Sequence, residues 1–137
     1  MLERWLWRTY RLRMAALLLG AILLVPWIVY LSVSLPGRYV AHNWDRTWVG
    51  FDVLLLAMLL LTAVLGLRRR PLVVVTGFAT GLLLICDAWF DVMTADADDI
   101  GLSLLTASVV ELPLASVLIA ASLQRFRRLV GARAHDV

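Results

Sequence analysis

The sequence predicts an all-α polytopic membrane protein, a four-transmembrane-helix bundle with both termini in the cytoplasm. Three observations carry that prediction. Residues of the apolar class make up 62% of the 137 residues and charged residues only 17%, and a soluble domain this small has too much surface for its volume to bury so much apolar side chain. Four runs reach spanning length, about 20 residues for a helix crossing roughly 30 Å of hydrocarbon. The basic residues, 13 in all and every one arginine, are distributed unevenly between the two ends of those runs. Alternating segments of about ten residues, the mark of a transmembrane β-barrel, do not occur.

In chain order, the segment MLERWLWRTYRLR has Leu2, Trp5, Thr9 and Leu12 on one helical face and Arg4, Arg8 and Arg11 on another. An interfacial helix over about 2–12, with tryptophan at the head-group level, accounts for that pattern; a docking surface for a partner is the alternative. The spans follow at about 14–35, 47–67, 72–93 and 100–123, and a basic tail over 124–137 carries His135 in a stretch expected to be disordered. The first span is preceded by the positive region of a secretory signal, but its apolar run exceeds the usual length, so it is read as retained. Short connections join the spans: PGRYVAHNWDR, RRRP and TADADD. Eleven arginines fall on the side of the two termini and the RRRP turn, against Arg38 and Arg46 on the other, which places the termini in the cytoplasm by the positive-inside rule. The net charge of +3 and pI near 9.8 then express topology and attraction to anionic lipid head groups. Because the arginines are dispersed over three juxtamembrane segments, nucleic acid is not an expected partner.

Pro26 and Pro113 lie inside the first and fourth spans, freeing the carbonyls of Ile22 and Val109 and predicting kinks. Gly77 and Gly81 form a GxxxG on the third span, which lets helix backbones approach closely. The pattern does not say whether the neighbour is another span of the chain or a second copy. The single Cys86 has no intrachain disulfide partner and is read as a small buried hydrophobe.

The acidic residues of the spans are the main functional signal. Counted from the outer span ends at 1.5 Å per residue, Asp52 lies about 7 Å deep, Asp87 about 9 Å, and Glu111 about 15 Å, near the bilayer centre, with Asp91 close to the interface. Thr76, Thr80, Asp87 and Asp91 fall on one stripe of the third span; Ser108, Glu111, Ala115 and Ser122 share one on the fourth; Asp45, Trp48 and Asp52 share one on the second. Lipid solvates none of these, so the three polar edges are expected to turn inward. An ionised aspartate at a helix centre costs about 2.5–3.5 kcal/mol on insertion scales, and neighbouring carboxylates repel one another. The spans hold no lysine, and their one arginine, Arg13, stands at the edge of the first. Protonation, a bound cation, Arg38, Arg46 or His42 folding down, or an arginine from another protein would each offset the charge. A plain reading competes: Asp91 as interface, Asp52 as partner of Arg46 or Arg38.

Trp48, Thr80, Trp89 and Ser108 are the expected lining of this pocket, and His42 and Asp45 in the outer loop are candidate additional ligands for a divalent cation. Trp44, Trp48, Phe51, Trp89 and Phe90 sit near the same level; as a group they read as an interfacial belt, and one or two of them against the carboxylates would suit an organic ammonium ion. No nucleophile with its base, phosphate loop or dinucleotide turn is present, so no enzymatic chemistry is assigned.

The phrases NWDRTWVGFD (Asn43–Asp52) and DAWFD (Asp87–Asp91), set in a four-span arginine-rich chain, resemble a group of small actinobacterial membrane proteins without assigned activity. The resemblance implies topology and no function. Small multidrug transporters also have four short helices, but their essential glutamate belongs to the first span, where this chain has no acid. The leading expectation is an outward-facing acidic pocket that binds or translocates a cation or protons, in a homo-oligomer, with Asp52 and Asp87 as outer site, Asp91 as entrance and Glu111 as a deeper site. The alternative is an accessory subunit of a larger membrane complex, its carboxylates paired with a partner's arginines.

Overall fold

The computed structural model describes residues 19–30, 32–35 and 40–134, all of it helix and connecting turn. The expected interfacial helix over 2–12, together with Arg38 and His135, lies outside those residues. The chain divides into two units, Met1–His42 and Asn43–Val137. In the first, α1 runs over Leu19–Ser34 as a short apolar helix. Pro26 lies within it without ending it, and the rings of Trp27 and Tyr30 meet with centroids 5.6 Å apart.

The second unit contains α2 (Trp44–Leu67), α3 (Val73–Thr94), α4 (Ile100–Thr106), a π-helical turn over Ala107–Glu111, and α5 (Leu112–Ala134). The last three continue one another as a single rod. Three helices, Trp44–Leu67, Val73–Thr94 and Ile100–Gly131, are long and apolar enough to cross a membrane. Two boundaries differ from the sequence reading. Helix α2 begins at Trp44, three residues early, so Asp45 sits in its first turn instead of in a loop. Helix α5 continues through most of the expected tail, to Ala134, because Gln124–Ala134 contains no proline and one glycine, Gly131, and its arginines are good helix formers.

Between α2 and α3 the chain reverses in a few residues. Arg69 takes the left-handed conformation, with φ of 54°. Its N–H donates to the Gly66 carbonyl at 3.0 Å and that of Arg70 to the Leu65 carbonyl at 2.9 Å. This pairing closes the end of α2 in a Schellman motif, with Pro71 just beyond to prevent continuation. So tight a turn makes α2 and α3 antiparallel neighbours.

Small and hydroxyl residues make the helix contacts. Gly77 and Gly81 are buried against α5: a Cβ on Gly77 would lie 2.6 Å from Ser122 Oγ, and one on Gly81 would lie 2.6 Å from Ile119 Cγ1 and 3.1 Å from the Ala115 carbonyl oxygen. The GxxxG face is therefore occupied by the chain's own last helix. Across α2 and α3, the hydroxyls of Thr62 and Thr80 are 3.0 Å apart, and Thr80 donates to the Thr76 carbonyl at 2.7 Å. With its one hydrogen spent there, Thr80 accepts from Thr62. Leu55, Leu84 and Ala115, one from each helix, form the apolar core, with Leu59, Leu83 and Leu118 against it. The other faces expose leucine, valine and phenylalanine along their length, as helices solvated by lipid do.

Candidate functional site

The contacts that fix the core also fix the level of the acids. Gly81 meets both Ala115 and Ile119, so its height on α5 falls midway between them. Six residues outward along α3, and six back toward α4, bring Asp87 level with Glu111. On the other side, Thr80 faces Thr62 and the Met58 carbonyl. A similar outward count brings Asp87 level with Asp52, and Trp48 meets Phe90 one turn beyond. Asp52, Asp87 and Glu111 thus form one layer, three or four residues from Leu55, Leu84 and Ala115 respectively. Asp91 stands one turn further out.

This corrects the depth assigned to Glu111. Counting from the span ends puts it far below the aspartates, but α4 projects past the end of α3 by more than a turn, so its first residues do not mark the same height. Asp87, Asp91 and Glu111 are half-buried, and Asp52 is exposed.

Glu111 owes its setting to Pro113. Proline has no N–H for the Val109 carbonyl, and its ring crowds the preceding turn. The chain answers by widening: the Leu112 N–H donates to the Ala107 carbonyl, five residues back. Glu111 is the last residue of this π turn, a feature that recurs at functional sites. Its Oε2 atom is buried without a hydrogen-bond partner. The Thr106 hydroxyl, five residues back, donates instead to the Ser103 carbonyl, 3.1 Å away. The proline was visible in the sequence, but the kink expected there is a π turn, and its conjunction with Glu111 was missed.

The expected lining residues separate. Trp48 is half-buried, edge-on to Trp44 at 5.7 Å and to Phe90 at 6.3 Å. With Phe51 these rings bound a cleft of about 270 Å³ closed by Thr47 and Thr94. Thr80 is completely buried between α2 and α3 and serves packing, not an open pocket. Ser108 is exposed and turns its hydroxyl onto the Leu104 carbonyl at 2.6 Å. Trp89 is 62% exposed, two residues from Asp87 and so on the far side of α3. Cys86 is exposed, not buried as expected. Arg46 reaches the Asn43 side chain at 3.4 Å. His42 and Asp45 are both exposed and belong to different units. Among the described residues no three His, Cys, Asp or Glu side chains are grouped to hold a metal ion.

No family model, curated protein or solved structure matches the chain. Its class therefore rests on its own features: three long apolar helices around a small core, with lipid-type outer faces, define a helical membrane protein.

Proposed function

We propose that this is a multi-pass protein of the plasma membrane, both termini cytoplasmic, that binds a cation or protons in the layer formed by Asp52, Asp87 and Glu111, with Asp91 at the entrance. The observation that carries this reading is the buried, unpartnered Oε2 of Glu111, set among carboxylates contributed by the other two helices. A buried acceptor left unsatisfied costs about 1–3 kcal/mol, more when charged. A proton or a cation shared with Asp87 removes that cost. Opening toward the less basic side, and assembling with further copies, the layer would serve uptake or passage of the ion.

The test is a stability titration of the purified full chain in detergent against monovalent, divalent and organic ammonium cations. A ligand at a hundred times its Kd adds about 2.7 kcal/mol to the folded state. The proposal requires a saturable gain with one cation class or with acid, lost in Asp87→Asn and Glu111→Gln. No response in any arm would overturn it. A second reading is favoured by the placement of Arg46 on Asn43, which turns to another partner the one arginine among the described residues that the sequence offered to the layer: an accessory subunit whose carboxylates take a partner's arginines. Co-purification of a stoichiometric partner, lost in the same two variants, would decide for it.

A further inference from the structure

At the opposite end of the second unit, independent of the acidic layer, the structure builds a basic corner. Arg125 on α5 donates from Nη2 to the Arg69 carbonyl at 3.0 Å, joining positions 56 residues apart. This contact holds the last helix against the Arg68–Arg70 turn. Because α5 remains helical beyond the expected span end, Arg125 and Arg128 project from a rigid element, one turn apart. Arg125 is half-buried and has spent one donor on Arg69; a guanidinium has five, arranged to match phosphate oxygens.

Apolar space adjoins this corner. A cavity of about 120 Å³ lies between the helices beside Arg125, with Thr62, Val74, Gly77 and Ser122 on its walls. Val74 and Ser122 also border a larger apolar groove of about 390 Å³ between α3 and α5, lined by Phe78, Leu82, Leu123 and Phe126. The groove runs along the lipid-facing side from the level of the arginines. Basic donors at a membrane-helix end, with an apolar groove running down beside them, match the two ends of an amphiphile: phosphate and acyl chain.

We infer that this corner is a binding site for one anionic phospholipid, with its phosphodiester on Arg125 and the Arg68–Arg70 turn and an acyl chain in the groove between α3 and α5. Charge alone would attract acidic lipid to any of the arginines. The site differs in requiring Arg125, whose neighbours are fixed, more than Arg127, two residues on and about 200° around the helix.

The experiment is native mass spectrometry of the full chain in detergent, titrated with phosphatidylglycerol or with phosphatidylcholine of the same chains. The expected result is one saturable phosphatidylglycerol adduct, with phosphatidylcholine at least about tenfold weaker. Arg125→Gln is expected to weaken phosphatidylglycerol about tenfold, the loss of one charge-assisted hydrogen-bond pair at about 1.4 kcal/mol per decade. Arg127→Gln should leave it within about twofold. Arg125→Lys keeps the charge and loses the fork, so it should fall between, and it preserves the comparison should the glutamine variant not fold. Inorganic phosphate, which lacks the chain, should not compete. Equal losses in Arg125→Gln and Arg127→Gln, unsaturable adducts, or equal binding of phosphatidylcholine would each overturn the site. Competition by inorganic phosphate would overturn the lipid assignment and reduce the corner to an anion site.

Discussion

Adding a methyl group at Gly81 tests the packing of α3 on α5. The new Cβ would stand 2.6 Å from Ile119 Cγ1 and 3.1 Å from the Ala115 carbonyl oxygen, where carbon contacts are ordinarily about 3.5–4.0 Å. Ile119 can change rotamer, but the carbonyl belongs to helix backbone, so α5 must retreat by several tenths of an ångström. Overpacking of this kind costs about 1–3 kcal/mol, while alanine gains up to about 1 kcal/mol over glycine in helix propensity. A net loss of about 1–2 kcal/mol is expected for Gly81→Ala. Reversible unfolding by dodecyl sulfate in mixed micelles, followed by tryptophan fluorescence, measures it. Truncating Ile119 to alanine in the Gly81→Ala background should cost less than the same truncation in the wild type, because it relieves part of the clash. A Gly81→Ala protein as stable as wild type, with strictly additive double-variant energies, would refute the close approach.

Thr80→Val keeps shape and removes the hydroxyl between α2 and α3; a loss of about 0.6 kcal/mol, the average for hydrogen bonds between membrane helices, and no more than about 1.7 kcal/mol, is expected in the same assay. Thr62→Val added to it should cost little more, since both remove one bond. Arg69→Gly relieves the left-handed conformation at φ of 54° and should raise stability by up to about 1 kcal/mol; a decrease would mean that the arginine side chain does more for the turn than its backbone costs. Glu111→Gln, measured without added cations, should not destabilise the fold and is expected to gain about 1 kcal/mol, because it removes a partly buried charge that has no cationic partner. A loss of several kcal/mol would show that the carboxylate holds the helices together.

Much of this was legible in the sequence because hydrocarbon imposes simple rules. The apolar runs Val53–Leu67 and Val73–Ile85 are not ambiguous in length, and both are helices because a bilayer leaves no other way to satisfy their backbones. The GxxxG announced a close helix contact, but only three-dimensional packing assigns it to α5. The acids were found individually from their position in apolar runs. Their relative height was not, because it depends on how far each helix projects beyond its neighbours, and Ile100–Ser103 reads as span although it overhangs α3. Lining residues failed for a related reason. A stripe on one helix includes both the side chain that faces the opening and the one a turn deeper that is sealed by a neighbour, and Thr80 is of the second kind. The π turn escaped because proline marks where a helix must adjust without saying how.

That three helices bring Asp52, Asp87 and Glu111 to one layer is the claim on which the site depends. In a Cys86→Ala background, the pair Asp87→Cys with Glu111→Cys can be tested with a short bifunctional thiol reagent, alongside the pair Asp87→Cys with Ser103→Cys. The structure predicts rapid cross-linking of 87 to 111 and none of 87 to 103, two turns further out. Cross-linking of 87 to 103 in preference to 111 would contradict the layer and return Glu111 to the depth counted from the span ends.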